Sequence, residues 1–206
     1  MQKSLFPQNQ LQSLPLVDAK VQFLENWLDS TTADDYFDQF HQQLDWQEGE
    51  IKIFGKTTKI PRLQAWYGDE GTDYQYSGVT MKPLKWTHQL LRLKEQCEAL
   101  TGVSYNSVLA NLYRDGSDSM GMHSDNEPEL GLSPTIVSVS LGETRNFDFK
   151  HRVSGEKYRL PLSHGSVLVM SGSTQKYWLH GIAKTKKSQQ ARINLTFRQI
   201  RSNNQK

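Results

Sequence analysis

The chain has a single cysteine, Cys97, among 206 residues, so no internal disulfide can form. A chain with that cysteine usage fits a reducing compartment, and the expectation is cytoplasmic, or nuclear if the source is eukaryotic. No apolar run approaches the ~20 residues that a membrane helix needs. The first residues, Met1-Gln2-Lys3-Ser4-Leu5-Phe6-Pro7, lack the apolar stretch of a secretory signal. Also missing are a Walker loop, a Gly-x-Gly-x-x-Gly turn after a strand, any βαβ alternation and any internal repeat. Doubly wound nucleotide-binding folds and solenoids are thereby set aside. Basic residues are scarce at the start, with two against nine acidic ones in residues 1–50, whereas residues 151–206 hold eleven basic and one acidic. A basic C-terminal third suits an anionic ligand, whether nucleic acid or a small dicarboxylate, and suits a solubilising surface equally well.

What is present points to a globular chain, with 36% hydrophobic and 22% charged residues. Residues 1–16 carry Pro7 and Pro15 with little periodicity and read as an extended arm. Asp18 can cap a helix with Val21, Leu24, Trp27 and Leu28 at helical spacing, and a second helix from Thr31 or Thr32 carries Tyr36, Phe37, Phe40 and Leu44. Both are expected to buttress a sheet. From Trp46 the period changes: Glu50-Ile51-Lys52-Ile53-Phe54 alternates, Gly55-Lys56 breaks it, and Pro61 to Gly68 follows at hairpin distance. A helix is expected from Trp86 to Leu100, closed by Gly102 as a C-cap. Strand candidates then follow at Ser107–Tyr113, Thr135–Leu141, Asn146–Lys150, Lys157–Pro161, Ser166–Met170, Tyr177–His180 and Arg192–Arg198. Short strands between Gly, Ser, Asn and Asp turns predict an antiparallel sandwich or jelly roll, an α+β chain that is mainly β. The expected division is an arm and helices over 1–45 and a catalytic domain over 46–206, with 46–85 a lid and 86–206 a helix plus the β core.

The chemistry centres on His123-Ser124-Asp125, with a lone His180 further on. In an extended segment residues i and i+2 face one side, so His123 and Asp125 can share a metal and His180 can complete the set. Two imidazoles and a carboxylate on one face of an octahedron are the usual coordination of non-haem Fe(II) oxygenases, leaving sites for substrate and O2. His-x-Asp by itself is a weak signal, and a solvated turn with a capping Asp is its more ordinary reading. Arg192-Ile193-Asn194-Leu195-Thr196-Phe197-Arg198 places Arg192, Asn194, Thr196 and Arg198 on one strand face. If that face is interior, its guanidiniums need an anion, and a dicarboxylate supplies one; if it faces solvent, Ile193, Leu195 and Phe197 are the core side. Asn111 and Tyr113 again set two polar groups on one strand face. Tyr74 and Tyr76 share a side, either as core aromatics or as a platform for a nucleobase. Lys184-Thr185-Lys186-Lys187 can lie along a phosphate backbone, and the Ile53-Phe54-Gly55-Lys56 tip pairs an apolar wedge with a cation.

Taken together, these segments resemble the AlkB family of Fe(II)- and 2-oxoglutarate-dependent dioxygenases, which repair alkylated nucleobases. The resemblance is greatest to the branch that includes the two human DNA-repair homologues. It is carried by Pro61-Arg62 through Tyr67-Gly68-Asp69, Tyr74-Gln75-Tyr76-Ser77-Gly78, Asn111-Leu112-Tyr113, His123-Ser124-Asp125-Asn126-Glu127, Ser138 to Gly142, Leu160-Pro161-Leu162 with His164-Gly165-Ser166, His180, and Arg192 to Arg198. These run in family order over about residues 46–200; the segment before them matches no motif. The resemblance implies a double-stranded β-helix under a nucleotide-recognition lid. It implies Fe(II) on His123, Asp125 and His180, and 2-oxoglutarate on Asn111, Tyr113, Arg192 and Arg198, with Asn194 and Thr196 on the same face. Tyr76 and His123 would sandwich a flipped base beside Tyr74, Asn126 and Glu127, and Ile53, Phe54, Gly55 and Lys56 would probe the stack. Asn126 departs from the pattern: the homologues commonly carry a second aspartate there. Asn accepts a hydrogen bond but brings no charge to a cationic methylated base.

The implied reaction is oxidative demethylation of bases such as 1-methyladenine and 3-methylcytosine in DNA, with RNA a second candidate. It consumes O2 and 2-oxoglutarate and releases succinate, CO2 and formaldehyde. The methyl group lies on the pairing edge, so the base must leave the stack. A monomer with no membrane association is expected. Two other readings compete: a dioxygenase of the same fold acting on a protein or small molecule, which needs no wedge, and a non-catalytic nucleic-acid-binding jelly roll, which needs no metal ligands.

Overall fold

The computed structural model describes residues 10–53, 56–76, 79–187 and 189–201. In chain order the elements are β1 (Gln12–Ser13), β2 (Lys20–Leu24), α1 (Ser30–Gln43), β3 (Gln47–Ile53), β4 (Lys56–Gly68), β5 (Tyr74–Tyr76), β6 (Val79–Met81), α2 (His88–Thr101), β7 (Ser107–Tyr113), β8 (Met120–His123), β9 (Ile136–Gly142), β10 (Arg145–His151), β11 (Lys157–Leu162), β12 (Ser166–Ser171), α3 (Thr174–Tyr177), β13 (Trp178–Ile182) and β14 (Arg192–Arg198). An eight-stranded sheet in the order β1-β2-β12-β9-β14-β7-β4-β3 packs on a four-stranded sheet in the order β11-β10-β13-β8, and β5 and β6 form a separate pair. The strand pairings are antiparallel, and the two facing sheets make the expected jelly roll.

Side-chain alternation explains how one sheet serves two cores. On β14, Ile193, Leu195 and Phe197 join Val137, Val139, Val108 and Ala110 in a cluster with Phe40 of α1 and Leu90, Leu93 and Cys97 of α2. The opposite face looks into the space between the sheets, where Tyr113, Phe147, Phe149, Leu168, Met170 and Trp178 cluster. The two open readings of β14 thus merge, because helices cover its apolar face while the second sheet covers its polar face. All seven β14 residues are buried.

Helix ends follow their local chemistry. Asp29 caps α1, its carboxylate accepting from the Thr32 backbone N–H at 2.9 Å, so the helix starts ahead of Thr31. Thr87 caps α2 through Leu90 N at 3.2 Å, and Gly102 closes it in the left-handed conformation at φ 70°.

The helix expected from Asp18 is absent. Asp18 sits in a turn at φ 57°, and residues 20–24 form β2, paired with β12 from Lys20↔Ser171 to Leu24↔Val167. Val21 and Leu24 stand three apart, which on a strand puts them on opposite faces. Both faces are covered: Val21 enters the core between the sheets and Leu24 the helix-side core. A strand buried on both sides therefore mimics helical spacing, and one helix, α1, remains as the N-terminal buttress.

The hairpin of β3 and β4 is hydrogen-bonded into the main sheet. β4 pairs with β7 only from Leu63↔Leu112 to Gly68↔Ser107, and beyond that it pairs with β3 alone. The hairpin consequently reaches past the end of β7 by six residues, Lys56 to Pro61, or roughly 20 Å. The ladder between β3 and β4 shifts register between Glu48 and Glu50, opposite Pro61, whose carbonyl accepts instead from Ser119 N at 2.9 Å. That bond pins the hairpin base beside the start of β8.

Candidate metal centre and anion pocket

β8 and β13 pair so that His123 lies directly across from His180. Asp125 follows just past the end of β8, and the ligand atoms of the three side chains lie within 4.8 Å of one another. His123 Nε2 is 3.8 Å from Asp125 Oδ1, and His180 Nε2 is 3.7 Å from Asp125 Oδ2. His123 Nδ1 is 2.9 Å from the Gly121 carbonyl, which can only accept, so Nδ1 carries the proton and Nε2 keeps a free lone pair. His180 is buried between the sheets, stacked on Phe147 at a ring separation of 5.2 Å. Burial, reinforced by His123 and Arg198 and opposed by Asp125, holds its pKa down to about 3, so the imidazole is neutral and able to ligate. Burial alone would raise the Asp125 pKa; Arg198, His180 and His123 together offset it and bring it to about 2. A neutral His180, an ionised Asp125 and a second imidazole, with their ligand atoms within 4.8 Å of one another, form a donor set that suits Fe(II).

The same cavity is lined by Asn111, Tyr113, Arg192, Asn194, Thr196 and Arg198. Their donors are not equally spent. Thr196 Oγ1 donates to Asn194 Oδ1 at 3.0 Å, and Asn194 Nδ2 donates to Ser138 Oγ at 2.7 Å, so this pair is largely saturated within the protein. Asn111 Oδ1 accepts from Arg62 Nε at 2.7 Å and Gln64 Nε2 at 3.0 Å, while its Nδ2 has no partner among the described residues. Arg192 donates to Ser140 Oγ at 2.8 Å and lies over the Tyr113 ring at 5.2 Å, but its Nε and Nη1 find no acceptor among the described residues. Burial lowers the Arg192 pKa to about 10 against the pull of Tyr113, and the group stays charged at neutral pH. A buried guanidinium with unspent donors, next to an unspent amide, is a site for a carboxylate. Arg198 sits nearer the metal ligands and donates to Asp125 Oδ1 at 2.8 Å.

Several buried residues of this region carry no candidate role in the sequence reading. Arg62 and Gln64 alternate on β4 as Asn111 and Tyr113 do on β7, and Ser138 and Ser140 alternate on β9; the same period-2 signal finds them. Arg145 donates to the carbonyls of Asp115, Asp118 and Ala183 and lies 5.8 Å from the Tyr113 ring centre. Gln175 accepts from the Asp125 backbone N–H at 3.0 Å, across 50 residues, and no sequence signal marks it.

The expected substrate side is only partly described. Phe54 and Gly55 lie outside the described residues; Ile53 ends β3 and Lys56 begins β4 at the overhanging tip. Tyr74 and Tyr76 fall in β5, paired with Met81 and Val79. Asn126 is exposed and Glu127 half-buried; both follow the ligand segment without lining the cavity. No helix among the described residues is long and apolar enough to cross a membrane.

Comparison with known proteins matches this architecture. A model of the 2OG-Fe(II) oxygenase superfamily matches residues 20–198. The chain is 40% identical to the DNA oxidative demethylase ALKBH2 of Bos taurus over 179 residues, 82% of this chain and 64% of that one. It is 38% identical to the alpha-ketoglutarate-dependent dioxygenase alkB homolog 3 of Homo sapiens over 192 residues, 88% of this chain and 66% of the relative. It thus spans about two thirds of the length of each. The solved structure of OsALKBH1 superposes with a TM-score of 0.66 at 19% identity, over 92% of this chain and all of that one, and shares the fold. The metal-ligand triad, the buried guanidinium beside it and the match over nearly the whole chain lead to one conclusion: the chain belongs to the 2OG-Fe(II) oxygenase superfamily, with Fe(II) and 2-oxoglutarate as its metal and co-substrate.

Proposed function

We propose that this chain is a nucleic-acid oxidative demethylase that removes N-alkyl groups from bases such as 1-methyladenine and 3-methylcytosine in DNA, with RNA as a second substrate class. The observation that carries the reading is one cavity holding three convergent metal ligands and, on the adjoining β14, a buried guanidinium with unspent donors. The names of the relatives, DNA oxidative demethylase among them, supply the substrate class.

In this reading His123, Asp125 and His180 hold Fe(II). Arg192, Asn111 and Tyr113 receive the far carboxylate of 2-oxoglutarate, Arg198 works beside the metal, and Asn194 and Thr196 form the wall between them. Bound Fe(II) and 2-oxoglutarate supply the oxidising chemistry, in which 2-oxoglutarate and O2 yield succinate and CO2 and one oxygen atom goes to the N-methyl carbon. The resulting hemiaminal releases formaldehyde and the unmodified base. The chain's own work is to fix the His123 tautomer, keep Asp125 ionised, anchor the dicarboxylate and exclude water. The overhanging hairpin with Ile53, Phe54, Gly55 and Lys56 meets the nucleic acid, Tyr74 and Tyr76 stack on the extruded base, and Asn126 and Glu127 accept from its exocyclic amine. The cytoplasm or nucleus is the expected location.

The test is release of formaldehyde and succinate from methylated single-stranded and duplex DNA and RNA, with and without Fe(II) and 2-oxoglutarate. Turnover of 2-oxoglutarate that no methylated oligonucleotide stimulates would leave the fold assignment standing and remove the substrate.

A further inference from the structure

The segment carrying Asp125 is held in an unusual way. β8 ends at His123, and its ladder to β13 is short and irregular, with pairs only at His180↔His123 and Ile182↔Met120. Asp125 lies beyond the ladder, so its backbone N–H needs another acceptor; it donates to the Gln175 side-chain oxygen at 3.0 Å. Gln175 is 3% exposed and sits on α3, five residues before His180 on β13. One side chain therefore ties the carboxylate ligand to the segment that delivers the second imidazole. Its orientation is fixed, because an N–H demands the oxygen end of the amide; the other end points at Met170 Sδ at 3.7 Å.

α3 is itself anchored on both sides of Gln175. Thr174 Oγ1 accepts from Lys20 N at 3.0 Å and Ser173 Oγ donates to the Asp18 carbonyl at 2.9 Å. Beyond it, Trp178 Nε1 donates to the Val17 carbonyl at 2.7 Å. The turn before β2 thus braces α3, and α3 braces Asp125. This gives residues 17–20 a purpose that the functional motifs leave unassigned.

We propose that Gln175 is a positioning residue for the metal centre, setting the distance of the Asp125 carboxylate from His180 through the Asp125 backbone. The proposal rests on His123, Asp125 and His180 forming the metal site. Removing the acceptor leaves a buried N–H unpaired, and the segment is expected to relieve this by turning that N–H, and the carboxylate with it, toward water.

The experiment is a Co(II) titration of the apoprotein followed by visible absorption, with Co(II) as the probe for the Fe(II) site. Gln175→Met keeps the length and loses the acceptor; Gln175→Glu keeps an oxygen at the same reach. Gln175→Met is expected to weaken Co(II) binding by about 10–100-fold, the range seen when groups that orient metal ligands are removed, and Gln175→Glu to stay within about threefold of wild type. Leu93→Ala, in the helix-side core away from the cavity, controls for general loss of stability and should bind Co(II) as wild type does. Wild-type affinity in Gln175→Met, an equal loss in Gln175→Glu, or an equal loss in Leu93→Ala would overturn the proposal. His123→Ala separates the two levels. If it binds Co(II) as well as wild type, the metal site is misassigned; if it loses binding while Gln175→Met does not, only the role of Gln175 falls.

Discussion

At the scale of single residues, the triad members are not equivalent, although each supplies one ligand. His123 is partly exposed, whereas Asp125 is the buried partner of the Arg198 guanidinium. Any of His123→Ala, Asp125→Ala or His180→Ala should abolish turnover. Asp125→Ala should in addition remove the carboxylate that faces the buried Arg198 guanidinium at 2.8 Å and lower stability further than His123→Ala does. Urea unfolding of the metal-free variants checks this: equal stability of His123→Ala and Asp125→Ala would mean that the Arg198–Asp125 contact contributes nothing. The two arginines of β14 should also separate. Arg192→Lys keeps a charge but loses the paired donors, and the KM for 2-oxoglutarate should rise about tenfold or more with metal affinity unchanged. Arg198→Lys should raise that KM and also weaken Co(II) binding, because Arg198 touches a metal ligand. If oligonucleotide affinity falls in either variant while the KM holds, the anion pocket is misassigned.

At the scale of elements, α2 and the hairpin make separable predictions. Gly102 ends α2 at φ 70° with open space where a Cβ would stand. Gly102→Ala should therefore cost about 1–2 kcal/mol from backbone conformation alone, and Gly102→Asn less, since Asn tolerates that region. Equal losses in chemical denaturation would point to packing. The overhang of β3 and β4 past β7 gives the hairpin reach, and an apolar residue at its tip can fill the gap left by an extruded base. Unstacking costs a few kcal/mol, and an aromatic on bases returns about 1–3 kcal/mol. Phe54→Ala should then lower kcat/KM on methylated duplex far more than on the matching single strand, whose stacking is weaker. Equal losses on both, with a lower Tm, would assign Phe54 to packing.

At the scale of the whole molecule, co-substrate binding should register as stability. Arg192 is buried, and its Nε and Nη1 meet no acceptor among the described residues, so a bound dicarboxylate can satisfy them. With Co(II) present, 2-oxoglutarate at about 100 times its Kd should add about 2.7 kcal/mol, and a chain of this length should gain roughly 5–10 °C in Tm. Arg192→Lys, weakened about tenfold or more, should lose about half of that gain or more at the same concentration, and a full gain in the variant would argue against Arg192 as the anchor.

Local chemistry by itself settled a good deal of this protein. Period-2 alternation on Ser107–Tyr113 and Arg192–Arg198 marked both strands at their observed ends, because side chains on a strand must alternate whatever they face. Gly102 marked the end of α2, since few other residues accept its φ, and His-x-Asp with a distant His marked three side chains that converge. Only the tertiary structure decided what lies on each side of a strand. It made β14 buried on both faces, and it made β2 a strand where the three-residue step from Val21 to Leu24 spelled a helix, because pairing with β12 outweighs local periodicity. It also decided which polar groups are spent on one another, as Asn194 and Thr196 are, and which remain open, as on Arg192 and Asn111. Hydrogen bonds between residues 50 apart, such as Asp125 to Gln175, are set by how the sheets stack, and nothing in the intervening sequence encodes them locally.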